Sequence, residues 1–303
     1  MRQAFKRAMS AAVAAGAVAG LTLSGPAPAA EGLKLGILGG MSVQNGFAAQ
    51  KCLMQELADG LGVPVTVNAF ASGKHLQDAL TAGEVDLASL SPRGYSAVWR
   101  SSAAAVQPVL APVGRGGAKG YRAVMLVRTE SDLSTLDAVK GKEIGFSGQI
   151  SLPGFFVPSV ALARDGFKAE SDAVTIQFSG GHQANLTALE SGAIDAAVTW
   201  VFDSGEAEAG PLARFGRQAG GSLSEIWRSN LVPNGPLVLR KALPEAIKQS
   251  ITARLLDLGK RAPDCLAAAF GRPVTGLFPV AHGDYETFIE ADHKRLSLSV
   301  ASN

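Results

Sequence analysis

Short apolar runs and longer amphipathic stretches alternate along most of this chain. Positions 33–38 and 65–70 read as strands, and 46–61 reads as a helix with Phe47, Leu53, Leu57 and Leu61 on its apolar stripe. A helix over 74–82, with Ser72 and Gly73 at its start, and a strand over 86–90 follow. Strand, helix, strand, helix at this spacing predicts right-handed crossovers and a parallel sheet. A glycine-rich stretch over 114–120 punctuates the chain, and an apolar extended run over 122–127 comes next. A second series then begins: strands over 143–146, 174–178 and 194–199, with helices over 154–165 and 182–191 between them. A last extended run over 236–240 precedes helices over 244–260 and 263–270. Two α/β units joined by extended runs near 122–128 and 235–240 predict two lobes, two crossing strands and a ligand cleft that closes by hinge motion. No internal repeat is visible.

The first thirty residues do not fit this pattern. Arg2, Lys6 and Arg7 form a basic start, 9–23 is small and apolar, and Ala27-Pro28-Ala29 is a small-residue cleavage signal. Residues 1–30 therefore read as a secretory signal peptide, and the mature protein is expected in the periplasm. The remaining residues, about 270, suit one large or two medium domains. With 47% hydrophobic and 18% charged residues and a net charge of +2, the composition makes no case for nucleic acid. Cys52 and Cys265 are far apart in sequence and, in an oxidising compartment, either pair or stay buried as free thiols.

Ser179-Gly180-Gly181-His182-Gln183 is the stretch with the clearest chemistry. It follows a strand and opens a helix, so its glycines expose N–H groups at the positive end of a helix and His182 adds a donor. That arrangement suits an anion, and it equally describes a polar surface turn. Catalysis has less support. No G-x-S-x-G or H-E-x-x-H motif occurs, and His75, His182, His282 and His293 have no metal-ligand spacing. The chain therefore reads as a binding protein without cofactor or metal, not an enzyme.

The order of motifs resembles the periplasmic phosphonate- and phosphite-binding proteins of ABC importers, over nearly the whole mature chain. Leu80-Thr81-Ala82-Gly83-Glu84-Val85-Asp86 is similar to the family's L-x-x-G-E-V-D, and Leu136-Asp137-Ala138-Val139-Lys140-Gly141-Lys142 to L-x-D-L-K-G-K. Gly180-Gly181-His182 matches G-G-H, 192–197 matches G-x-V-D-A-A, and Pro233-Asn234-Gly235-Pro236-Leu237-Val238 resembles P-N-D-P-L-V. Ser91-Pro92-Arg93-Gly94-Tyr95 stands where the family has G-P-x-x-Y.

The resemblance implies a type II, Venus-flytrap α/β fold, with lobe one formed by 31–124 and 237–303 and lobe two by 125–236. It also implies an oxyanion held by Ser151, Gly154 and His182 from lobe two and by Tyr95 from lobe one. Gly181, Ser91, Thr199 and Trp200 complete the expected site. The chain departs from the family at Ser151-Leu152-Pro153, where relatives carry Ser-Thr-Ser, and at Thr199-Trp200-Val201, where relatives often carry an acid. Arg93 adds a guanidinium to the lobe-one loop, either as an anion ligand or as a surface residue. The expected partners are a small anionic ligand and an inner-membrane permease, with the protein a monomer. The alternative is a sensor of the same fold that presents an oxyanion such as arsenite to a histidine kinase, which would give Cys52 a role. In such folds the C-terminal helices return to lobe one, which makes a Cys52–Cys265 disulfide geometrically accessible.

Overall fold

The alternating run at the start of the folded chain becomes β1 (Leu33–Leu38), followed by α1 (Val43–Leu61), β2 (Val65–Phe70), α2 (Gly73–Ala82) and β3 (Leu87–Ser89). In this computed structural model, residues 32–38, 43–203, 210–215 and 221–301 are described. The expected signal peptide, 1–30, lies outside them. The Ser72 hydroxyl accepts from His75 N–H to start α2, and Gly83 ends it in the left-handed conformation with φ 76°. Then come α3 (Pro92–Ser101), β4 (Val106–Val113), β5 (Gly120–Arg128), β6 (Glu143–Phe146), α4 (Val157–Arg164) and the single turn α5 (Ala169–Asp172). The order continues with β7 (Thr175–Phe178), α6 (His182–Glu190), β8 (Ala196–Phe202), α7 (Pro211–Arg214), β9 (Leu223–Arg228) and β10 (Val232–Pro233). The chain closes with β11 (Leu237–Arg240), α8 (Glu245–Arg261), α9 (Pro263–Phe270), β12 (Gly276–Pro279) and α10 (Glu286–Ala301).

Two sheets result. The first has the order β12-β4-β11-β3-β1-β2 and the second β10-β5-β8-β6-β7, with β9 also paired to β5. The parallel prediction holds where a helix carries the chain back. β1 pairs in parallel with β2 and β3, and β6 with β7 and β8. The other pairings are antiparallel, because the chain enters those strands from the opposite sheet or from a hairpin-like return. Each sheet is covered on both faces. Leu53 and Leu57 of α1, Ile251 and Leu255 of α8 and Leu266 of α9 fill one side of the first sheet, while Leu76, Leu80, Tyr95 and Val98 fill the other. Leu162 and Phe167 cover one side of the second sheet, and Leu186 and Leu189 of α6 the other.

The chain passes between the sheets twice, at 114–119 and at 234–236. These differ from the extended runs expected to cross. β5 and β11 each lie wholly in one sheet, and the expected lobe boundary at 124/125 falls inside β5. Asn234 ties the two passages together. Its side-chain amide donates to Pro112 O (2.9 Å) and Ala118 O (3.0 Å), and its N–H to Lys119 O (2.9 Å). Beside it, a Cβ at Gly235 would collide with Leu90 O, so only glycine fits where the family pattern has aspartate.

α10 is the longest element outside the expected pattern. It packs on α3 and on α4, and Phe288 and Ala291 share a core with Phe156, Val157 and Val160. Arg164 on α4 donates to Thr287 (2.6 Å) and Glu290 (3.0 Å). On the other side, fully buried Asp292 accepts from Arg100 (2.7 Å), Ser96 (2.9 Å) and Arg295 (3.0 Å). Burial opposes the charge on Asp292, but these hydrogen bonds outweigh it and hold the carboxyl below its usual range.

Candidate functional site

The parallel strands of both sheets deliver their C-terminal ends to the segments that carry the expected chemistry, the usual place for a ligand in open α/β sheets. β3 leads to Ser91, β6 to 147–151, β7 to Gly180-Gly181-His182, and Trp200 lies near the end of β8. Ser91 caps α3 by accepting from Gly94 N–H (3.0 Å), and Ser151 caps the turn Leu152–Phe156 by accepting from Gly154 N–H (3.1 Å). Each bond uses the hydroxyl oxygen as acceptor and leaves its proton to donate. The Gly154 N–H is thereby spent, and Pro153 has none, so this turn offers fewer backbone donors than expected.

α6 is different. Its N-cap is Gly181, which has no side chain to satisfy the first-turn N–H groups, and a Cβ there would meet open space. Gly180 makes the turn into it with φ 83°. His182 Nδ1 lies 2.9 Å from the Thr199 hydroxyl, and the ring stands edge-on to Trp200, centroids 6.2 Å apart. Burial holds the imidazole below its ordinary pKa and so keeps it neutral near pH 7. When Thr199 donates to Nδ1, Nε2 carries the proton and presents a donor beside the uncapped helix end.

His182 and Trp200 line a cavity of about 350 Å³ with Phe202, Pro211 and Arg214. A larger cavity, about 900 Å³, opens between the ends of β1 and β3, the end of α9 and the crossing segments, and Ser91 lines it. Tyr121 also lines the larger cavity and stands edge-on to Trp200 at 6.0 Å, so this aromatic pair links the two.

Three expected ligand residues sit elsewhere. Tyr95 is fully buried in the core of the first sheet, its hydroxyl 2.9 Å from His282 Nδ1, because its helix turns the ring inward against Tyr285. Arg93 points toward α10, where its Nε is 3.8 Å from the Asp292 carboxylate. Thr199 is closed to solvent and acts behind His182. Tyr121, Arg214 and Arg272, which the sequence reading passed over, line the cavities instead. Their spacing carried no signal. Cys52 and Cys265 are joined, Cα atoms 5.8 Å apart, which replaces the free-thiol reading and removes the thiol on which an arsenite role for Cys52 depended. Among the described residues no group of three His, Cys, Asp or Glu is placed to hold a metal, and no helix is long and apolar enough to cross a membrane.

Comparison with known proteins bears on this geometry. Residues 35–285 match the family model described as the periplasmic phosphonate-substrate-binding protein of ABC transporters. The chain is 29% identical over 227 residues to a phosphate-import protein of Mycolicibacterium smegmatis, covering 69% of this chain and 68% of that one. It is 28% identical over 252 residues to the phosphonates-binding periplasmic protein of Escherichia coli, covering 79% and 70%. Among solved structures, transferrin 1 of Manduca sexta aligns with a TM-score of 0.57 at 13% identity, over 88% of this chain and 46% of that one, a likeness of fold alone. A binding protein component of a phosphonate ABC transporter from Pseudomonas aeruginosa aligns at 18% identity with a TM-score of 0.48, over 89% and 88%. By the match across 35–285, this chain belongs to the family of periplasmic substrate-binding proteins of phosphonate ABC transporters.

Proposed function

We propose that this protein is secreted, captures a small phosphoryl-type oxyanion between its two sheets as a monomer, and hands it to an inner-membrane ABC permease. The observation that carries the reading is the start of α6. Among the described residues its first-turn N–H groups are left without a capping side chain, and a neutral, oriented His182 stands beside them. Backbone donors at a helix N-terminus favour negative charge without needing a formal cation. The hydroxyl protons of Ser151 and Ser91 and the guanidinium of Arg214 are further donors from the surrounding elements. A ligand that touches both sheets binds the closed arrangement better than the open one, and that difference in affinity drives closure.

Titration calorimetry with phosphate, phosphite and methylphosphonate tests this. Binding by at least one of the three is expected, and His182→Ala should weaken it by about 1.5–3 kcal/mol, the range for a hydrogen bond to a charged group. Affinity unchanged in that variant would remove His182 from the site.

A further inference from the structure

The larger cavity has walls that say what the rest of the ligand is. They are formed mainly by apolar side chains, among them Leu35, Ile37, Leu38, Leu90, Tyr121 and Phe270. Among the described residues no carboxylate lines either cavity, and the charged residues that do, Arg272 in one and Arg214 in the other, are cations. The acid nearest to Trp200 in sequence, Asp203, is held by Arg122 at 2.7 Å. Two exposed large apolar residues, Leu38 at the end of β1 and Phe202 at the end of β8, line the cavities. Exposed apolar side chains gathered around a concave site mark surface that a ligand covers.

We propose that the preferred ligand is a phosphonate whose carbon substituent is uncharged, apolar and larger than methyl, seated in the larger cavity and linked to the oxyanion end across the Tyr121–Trp200 pair. This rests on the oxyanion reading above. An ammonium group entering these walls would lose its hydration, find no carboxylate among the described residues and meet the positive charge of Arg272. Each methylene seated there strengthens binding by about fourfold.

The experiment is titration calorimetry of the protein with methylphosphonate, butylphosphonate and 2-aminoethylphosphonate. Butylphosphonate is expected to bind more than about tenfold tighter than either of the others. Leu38→Glu, which places a carboxylate on the cavity wall, should raise the affinity for 2-aminoethylphosphonate relative to butylphosphonate. If methylphosphonate binds but it or the aminoethyl compound matches butylphosphonate, the apolar-substituent proposal is overturned and the oxyanion reading stands. If none of the three phosphonates nor phosphate binds, the oxyanion reading fails and takes this proposal with it.

Discussion

His182 and Tyr121 line the two cavities, and each makes a contact with a residue distant in sequence. His182 is oriented by Thr199, which is closed to solvent, and its tautomer depends on a hydroxyl seventeen residues away on β8. The G-G-H motif made this histidine legible in the sequence, because glycines after a strand mean a turn into a helix. Its orienting partner was not legible, since Thr199 reads as an ordinary strand residue until the register of β8 is known. Tyr121 was missed for the same reason. It begins β5 after a glycine-rich passage, and nothing local says that its ring meets Trp200. Among the described residues its hydroxyl is buried with no hydrogen-bond partner, and burial pushes the phenol pKa up. An unsatisfied buried hydroxyl costs about 1–3 kcal/mol. Tyr121→Phe is therefore expected to raise stability by about 1 kcal/mol, read as a higher urea midpoint with unchanged slope; a lower midpoint would mean that the hydroxyl has a bonded role.

At the scale of elements, the strands and helices that follow hydrophobic period were readable, and those that break a local rule were not. β4 carries Pro108 and Pro112, which argue against a strand, yet it sits between β11 and β12. α3 opens with Pro92 and Gly94, and reads as a loop until Ser91 is seen to cap it. α10 has a weakly patterned sequence because it packs against two helices on different sides and is fixed by buried Asp292. Asp292→Asn should destabilise the protein by about 3 kcal/mol, since it takes the counter-charge from Arg100 and Arg295. The pH dependence has a definite sign. The folded carboxyl titrates below its ordinary value of 3.8, so its contribution is complete above that pH and is lost as pH falls through the folded value. Thermal melts from pH 6 to pH 2 should lose less in the Asn variant than in the parent; parallel curves would assign acid unfolding to other groups. The Cys52–Cys265 bond ties α1 to α9 across 213 residues of sequence. Replacing both cysteines by serine is expected to cost about 3–5 kcal/mol in chemical denaturation. A loss near zero would point to a denatured state already held together in this region.

Across the whole molecule, the sequence conveyed that two α/β units exist and that the chain crosses between them twice. It misplaced the crossings by several residues. Apolar runs such as 122–127 and 236–240 mark where a strand is buried, whereas the passages themselves are short, and Asn234 holds them with hydrogen bonds to carbonyls more than a hundred residues away. The candidate site was legible on the second sheet, where one motif supplies turn, helix start and histidine together. It was poorly legible on the first, where the cavity is assembled from the ends of β1, β3 and α9. Tyr95 and Arg93, two residues apart in a recognisable motif, were turned by α3 toward the core and toward Asp292.

The second sheet is drawn from one continuous stretch, 120–233, while the first needs residues from both ends, 33–113 and 237–279. A polypeptide made from its N-terminus onward therefore has every strand of the second sheet available before the first can be finished. β1, β2, β3 and β4 must wait, with apolar faces incompletely covered and Cys52 still a thiol, until β11, α8 and α9 emerge. The inserted lobe is thus the natural first folding unit, and oxidation of the cysteine pair becomes a clock for completion of the other.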